Sequence, residues 1–194
     1  MNCQKSFYAH STAVVESDKI GDGTRIWHFA HVRMGAEIGM NCNIGKSVYV
    51  DAGALIGNNV KIQNFVSVYN GVTIEDDVFI GPSATFTNDL YPRAFIWDEG
   101  RVAITRICRG ASIGANATLV CGITVGEYAL IGAGSVVAED VPPFALVTGN
   151  PAGLKGWVCY CGQRLREPKR EDSKAMVYQC KACGKEVQIR KVAR

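Results

Sequence analysis

Large apolar side chains recur at every sixth position along the first half of the chain. Starting at Ile20 and stepping by six, the positions read Ile26, Val32, Ile38, Ile44, Val50, Ile56, Ile62, Val68, Ile74, Ile80 and Phe86. A second column, four residues after each of these, reads Thr24, Ala30, Ala36, Cys42, Val48, Ala54, Val60, Val66, Val72, Val78 and Ala84, all small or β-branched. An amphipathic helix needs an apolar period of about 3.6, and a hairpin sheet needs paired turns at roughly 8–12-residue spacing, so neither fits. Two inward positions flanking one outward residue make a short strand. A turn then completes a six-residue side, and three sides close a triangular coil. Successive coils stack about 4.8 Å apart, and their parallel ladder satisfies the backbone. The pattern predicts an all-β parallel β-helix. Gly21, Gly39, Gly45, Gly57 and Gly81, each following a large column residue, are expected to supply the backbone freedom of tight corners.

The frame breaks after Phe86 and resumes at Ile107, Ile113, Leu119, Val125, Ile131 and Val137, with Ala111, Ala117, Ile123, Ala129, Ser135 and Val141 in the small column. Phe86 to Ile107 is 21 residues rather than the 18 of one coil, so residues 87–106 are expected to leave the coil as a protruding loop. Long loops in compact repeats usually carry function. Pro142 and Pro143 are expected to stop the ladder, with turns at Gly149, Pro151 and Gly153. Residues 1–158 then form the β-helix domain and residues 159–194 a separate tail.

Charge sharpens that division. From Cys159 onward there are ten Lys and Arg against four Asp and Glu, or +6, which leaves the preceding 158 residues with 11 against 14, or −3. A short, solvated charged tail is the commoner reading of such a segment than a nucleic-acid contact, so no nucleic-acid partner is expected. The first residues lack an apolar secretory core, and the uncharged stretch between Arg109 and Glu127 is too polar to span a bilayer. A cytoplasmic protein without membrane insertion is therefore expected.

Eight cysteines in such a chain argue for reduced thiols or metal ligands. Cys159-Tyr-Cys161-Gly and Cys180-Lys-Ala-Cys183-Gly resemble a zinc ribbon in which CxC replaces one CxxC. Four thiolates close a tetrahedral structural zinc site, and a tail too short for its own core gains from one. The CxC departure leaves a metal-free tail as the alternative. Cys42 belongs to the small column, while Cys3, Cys108 and Cys121 show no ligand pairing.

IWHFAHV, KIQNFVSVYNGVTIEDDVFIGPSATFTND, YPRAF, GASIGANATLVCGITVGEYALIGAGSVV and the closing GNPAG before a lysine resemble the left-handed β-helix acyltransferases. More narrowly they are similar to the N-acetyltransferases acting on UDP-2-acetamido-3-amino-2,3-dideoxy-glucuronic acid in bacterial lipopolysaccharide O-antigen synthesis, over roughly residues 8–158. The resemblance implies the left hand, although most parallel crossovers are right-handed. It also implies a homotrimer, with acetyl-CoA between neighbouring helices and the UDP-linked amino sugar near the loop. Outward Phe65 and Phe79 suit an assembly that covers them.

Amide formation from a thioester needs a neutral amine, a nearby carbonyl and a donor to the developing oxyanion. A sugar amine with a pKa near that of an α-amino group, about 7.7–8, has a useful neutral fraction, so positioning can carry most of the rate. The resemblance places Asn88 of the FTN motif beside that amine, one coil above Asn70. His31 lies outward on a strand with Tyr49 stacked on it, a row for substrate contact or for the subunit interface. Lys46, stacked with Asn64 over His28, is placed on a corner row to meet phosphate or carboxylate. Arg93 in the loop suits a pyrophosphate or a uronate carboxylate, which guanidinium pairs bidentately. For acetyl-CoA the resemblance points to backbone groups near Ala111 and Ala129 along the pantetheine, and to Asn150, Pro151 and Lys155 near the nucleotide end.

Three rival readings are weighed against this. γ-Carbonic anhydrases share the helix but need a later histidine pair, and none follows His31. An O-acetyltransferase needs a histidine base near the loop. The loop and the GNPAG closure weigh against a non-enzymatic scaffold, which stays the less favoured alternative. A related N-acetyltransferase for a nucleotide-linked amino-deoxy sugar with a different amine position stays open.

Overall fold

The computed structural model describes residues 6–96 and 98–191; Cys3 lies outside them. The chain winds as a left-handed parallel β-helix with three sheet faces. Face A runs from Tyr8–Ala9 to Ala145–Gly149, face B from Val14–Val15 to Val136–Val137, and face C from Glu37–Ile38 to Thr124–Val125. Most strand partners are 18 residues apart, as in His31 to Tyr49 to Ser67 to Thr85 on face B. Among the described residues there is no α-helix, only a 3-10 turn at Glu99–Arg101, and no helix is long and apolar enough to cross a membrane.

Both columns are the interior. Every residue named in them is buried except Ile20 on the first rung. Each fully buried aliphatic side chain contributes about 1.5–3 kcal/mol, so the repeat supplies its stability rung by rung. The polar members of the small column are matched. Thr24 Oγ1 donates to the Gly39 carbonyl at 2.8 Å and accepts from the Cys42 N–H at 3.0 Å, and Ser135 Oγ accepts from the Gly149 N–H at 3.2 Å.

The expected reason for the corner glycines is corrected. Gly21, Gly39, Gly45, Gly57 and Gly81 do not adopt left-handed backbone. Instead a Cβ at Gly81 would lie 2.6 Å from the Ala115 nitrogen, and one at Gly21 2.5 Å from the Gly39 carbonyl carbon. Glycine is required there by the approach of the next coil. The left-handed residue stands three positions after the large column residues, Phe86 and Val137 excepted, most often as Gly and at Asn41, Asn59, Asp77 and Asn116 as Asn or Asp. Asn and Asp tolerate that region, whereas Phe29, Phe65 and Tyr128 occupy it against their steric preference.

The loop is also shorter than expected. Thr105–Ile107 is a strand on face C, with Val72 paired to Thr105 and Ile74 to Ile107. These partners are 33 positions apart where the rungs on either side of them repeat after 18, so the excursion inserts 15 residues. Thr87 still donates its N–H to the Leu119 carbonyl at 3.1 Å. The loop therefore departs after Thr87 and returns before Thr105. Its neck is tied by the Ala103 N–H to the Asn88 carbonyl at 3.0 Å and by Arg101 to Asp89 at 3.5 Å.

Pro142 and Pro143 do not end the ladder. Ala145–Gly149 adds one more parallel strand, with Leu130 paired to Leu146, and the chain turns at Asn150 and Pro151. Ala152–Val158 returns antiparallel, so Gly153 lies in a strand opposite Thr148 rather than in a turn. Arg164–Leu165 then pairs with Val158 and Trp157. A three-stranded antiparallel sheet follows, made of Arg170–Glu171, Ala175–Gln179 and Glu186–Arg190. Cys159, Leu165, Tyr178, Cys180, Val187 and Ile189 form a small core of their own, against which Phe144 and Trp157 pack from the end of the helix. The tail is therefore seated on the helix and is not a detached appendage.

Candidate functional site

At the mouth of the loop, Asn88 is half-buried, and the pairing of Ser67 with Thr85 sets it one coil above Asn70. The Asn70 N–H donates to Asp51 Oδ2 at 3.4 Å. Asp51 also accepts from the Tyr49 hydroxyl, the Ala52 N–H and Arg33 Nη1, each at 2.9 Å. Burial alone would raise the Asp51 carboxyl, but these donors outweigh it and hold it below the usual carboxylate range. Asn70, Tyr49 and Asp51 are thus one network, a link that spacing did not reveal.

His31 sits outward on face B beneath Tyr49, with an edge-on ring contact at 5.7 Å, and its Nε2 lies 3.1 Å from Glu16 Oε1. That hydrogen bond is the main cause that lowers the Glu16 carboxyl. His31 is three rungs below Thr85, roughly 14 Å along the ladder by normal strand spacing, so the fold does not bring it to Asn88. Lys46 is exposed, with Nζ 6.0 Å from the Phe29 ring centroid and 5.8 Å from that of Phe65. The Lys46 N–H donates to Asn64 Oδ1 at 2.9 Å on the coil above, as the corner row predicts, and His28 below it stacks on His10 with centroids 3.5 Å apart. Arg93 is exposed in the loop and its Nη1 donates to the Pro92 carbonyl at 2.8 Å.

Ala111 and Ala129 are buried, and their backbone groups serve the coil. The Ala111 carbonyl accepts from the Phe79 N–H at 3.0 Å and that of Ala129 from the Ser112 N–H at 2.8 Å; their own N–H groups donate to Cys108 and Gly126. A group bound along this strip would therefore meet their neighbours. A cleft of about 330 Å³ opens there, lined by Asp77, Gly110, Ser112, Tyr128, Ala129 and Leu130 of the helix and by Val158 to Gly162 of the tail. Beside it Tyr128 stacks on Phe144 at 5.3 Å, and Tyr160 stands edge-on to both at 4.7 and 4.9 Å. Asn150, Pro151 and Lys155 are exposed on the closing hairpin and do not line this cleft. A second cavity, of about 580 Å³, is lined by Glu37, Glu75, Asp76 and Glu127, with Arg109 held by Asp76 at 3.0 Å. Its carboxylates repel a polyanion.

The four tail cysteines converge, every Sγ within 4.8 Å of the others, with Cys159 to Cys183 at 3.5 Å and Cys161 to Cys180 at 3.7 Å. A tetrahedral ion with metal–sulfur bonds of about 2.3 Å has sulfur–sulfur edges of about 3.8 Å, so the separations suit one. Burial and the neighbouring thiols push Cys159 up to about 12, while the Cys183 and Ala182 N–H groups draw Cys180 down to about 7. Cys42, Cys108 and Cys121 lie outside this cluster.

A family model described as bacterial transferase hexapeptide (six repeats) matches residues 53–88 and 104–139, and one described as hexapeptide repeat of succinyl-transferase matches residues 35–70. The dTDP-3-amino-3,6-dideoxy-alpha-D-galactopyranose 3-N-acetyltransferase of Aneurinibacillus thermoaerophilus is 50% identical over 161 residues, covering 82% of each chain. The chain belongs to the hexapeptide-repeat sugar N-acetyltransferases. Bifunctional protein GlmU of Trichodesmium erythraeum is 30% identical over 168 residues, which are 84% of this chain but 32% of that one. Among solved structures, the acetyltransferase domain of PglB from Neisseria gonorrhoeae FA1090 in complex with acetyl coenzyme A has a TM-score of 0.50 at 24% identity. That match covers 77% of this chain and 57% of the other, and it concerns the fold.

Proposed function

We propose that the protein transfers the acetyl group of acetyl-CoA to the 3-amino group of a nucleotide-linked 3-amino-deoxy sugar. The observation that carries this is the 50% identity, over most of both chains, to an enzyme named for 3-N-acetylation of a dTDP-3-amino-3,6-dideoxygalactose. That sugar is the first substrate to test. The UDP-2-acetamido-3-amino-glucuronate of O-antigen synthesis is the second reading, favoured by the motifs between residues 8 and 158, and it presents the same 3-amine.

The neutral amine attacks the thioester carbonyl; the new C–N bond forms, the C–S bond breaks, and the amine proton leaves as the CoA thiolate is released and protonated. Asn88 orients the amine or the carbonyl as a neutral amide, with Asn70 below it as a substrate contact. Lys46 and Arg93 supply cations for the nucleotide phosphates, and the row of His31 and Tyr49 flanks the nucleotide rather than the reacting nitrogen. Acetyl-CoA lies along the strip at Ala111 and Ala129, with Asn150, Pro151 and Lys155 toward its nucleotide end. Leu55, Phe65 and Phe79 are exposed apolar residues on the outer surface, which suits a homotrimer that covers them. The reaction is placed in the cytoplasm, and its product in a surface polysaccharide. The four tail cysteines hold a structural zinc, which the sulfur separations and the small core of the tail both favour.

Release of CoA thiol from acetyl-CoA tests the reading. dTDP-3-amino-3,6-dideoxygalactose should give the highest kcat/KM, the UDP-linked 3-amino uronate less, and UDP-GlcNAc, which has no free amine, none. Asn88→Ala should lower kcat about tenfold or more, the scale of a lost positioning contact. Release with neither 3-amino sugar would overturn the proposal.

A further inference from the structure

The tail brings three features to one place: the four-cysteine cluster, an aromatic ring between two of its members, and a positive charge in an otherwise weakly acidic molecule. Cys159 and Cys161 belong to the cluster and also line the cleft beside Ala129. Between them Tyr160 is braced edge-on by Tyr128 and Phe144, and on another side Lys185 Nζ lies 5.4 Å from its ring centroid. Lys185 follows Cys183 by two residues, so its placement depends on the second knuckle. The first knuckle thus forms one wall of the cleft, and the second reaches that wall through Lys185 against Tyr160.

We propose that the cysteine module is that wall of the acyl-donor site, and that metal at its four thiolates controls the affinity for acetyl-CoA through Tyr160 and Lys185. The inference rests on the reading that the donor lies along the strip at Ala111 and Ala129. Its chemistry follows from the parts. An aromatic face offers a stacking surface for a purine or a packing surface for the pantetheine chain. The donor is polyanionic at its nucleotide end, and the +6 tail is the positive region of a chain whose first 158 residues sum to −3. A segment of this size with six buried core residues does not hold its shape unaided, so the wall is formed only when the thiolates are bridged. Asn88 and Asn70, which take the sugar, stand on coils of the helix rather than on the tail, so the sugar site has no such dependence.

The test is calorimetric titration of the full-length, metal-analysed protein with acetyl-CoA, alongside KM for each substrate. Wild type should contain one zinc per chain. Tyr160→Ala should weaken acetyl-CoA binding about tenfold and leave the KM for the sugar nucleotide within twofold, whereas Tyr160→Phe should restore it. Lys185→Ala should weaken binding and flatten its salt dependence. Stripping the ion with a chelator should reproduce the Tyr160→Ala loss, and zinc should reverse it. Wild type that binds acetyl-CoA with an affinity indifferent to Tyr160 and to metal would overturn this inference and leave the proposed activity standing. Zinc-loaded wild type that binds no acetyl-CoA would overturn both.

Discussion

In the β-helix each side adds one large and one small residue to an interior that continues through every coil, so that Ile44, Ile62, Ile80, Ile113 and Ile131 are all fully or almost fully buried along one face. The C-terminal module buries only Cys159, Leu165, Tyr178, Cys180, Val187 and Ile189 as a separate core, and two of those six are thiols. The helix can lose a rung's worth of contact and keep its neighbours, because the unit of stability is repeated. The module stacks no such repeated rung, and on the proposed zinc reading its fold depends on the ion bridging the four sulfurs. The charge follows the same division, −3 on the helix and +6 on the tail.

The largest effect expected from that contrast is on metal removal. Chelation, or Cys180→Ser, should unfold the module and leave the helix intact, which limited proteolysis would register as cleavage confined to residues beyond 158. Simultaneous loss of the helix would mean that the two regions are one cooperative unit. Next come the two glycines that differ in kind. At Gly81 a Cβ would press on the backbone of the coil above, at 2.6 Å from the Ala115 nitrogen, so Gly81→Ala should cost the helix about 3 kcal/mol in denaturant unfolding. At Gly184, in the second knuckle, φ is +73° and nothing lies within 4 Å of an added Cβ, so Gly184→Ala should cost only about 1 kcal/mol of backbone strain. Equal costs would erase the distinction between stacking and strain.

The smallest effect is an acid one. The Asp51 carboxyl is held below its ordinary value, so it contributes stability at pH above its unfolded pKa of about 3.9, and that contribution fades as pH falls through the lower folded value. Melting temperatures of wild type and Asp51→Asn should therefore differ at neutral pH and converge below about pH 4. A difference that persists in acid would assign the effect to something other than the carboxylate's charge.

The architecture was legible because burial in a β-helix is periodic: both columns could be read from Ile26 to Val137 without reference to any long-range contact. Features set by contact between coils were not. Gly81 reads as a flexible corner until a Cβ there is seen to fall 2.6 Å from the Ala115 nitrogen of the next coil, and left-handed backbone at Phe29 and Phe65 is hidden because aromatic residues do not advertise that conformation. The loop was found but mismeasured, since Ile107 continues the apolar frame while stacking on Ile74 rather than on Phe86. Pro142 and Pro143 misled because they occupy the corner between the Val141 bridge and the strand Ala145–Gly149, where the ladder needs no N–H from either ring. At the site, Asn88 above Asn70 followed from the repeat, whereas the Tyr49–Asp51 bond depends on side-chain reach within one rung. The Tyr128, Phe144 and Tyr160 cluster joins residues from helix and tail, and only the docking of the tail brings them together.

The most direct test of the central claim is the identity of the nitrogen that receives the acetyl group. dTDP-3-amino-3,6-dideoxygalactose would be incubated with acetyl-CoA and the protein, and the product examined by proton–nitrogen correlation NMR. One new amide N–H coupled to the sugar's C3 proton is expected, with CoA thiol released in equal amount. An acetyl group found on a hydroxyl oxygen, or thiol release without a new amide, would contradict it.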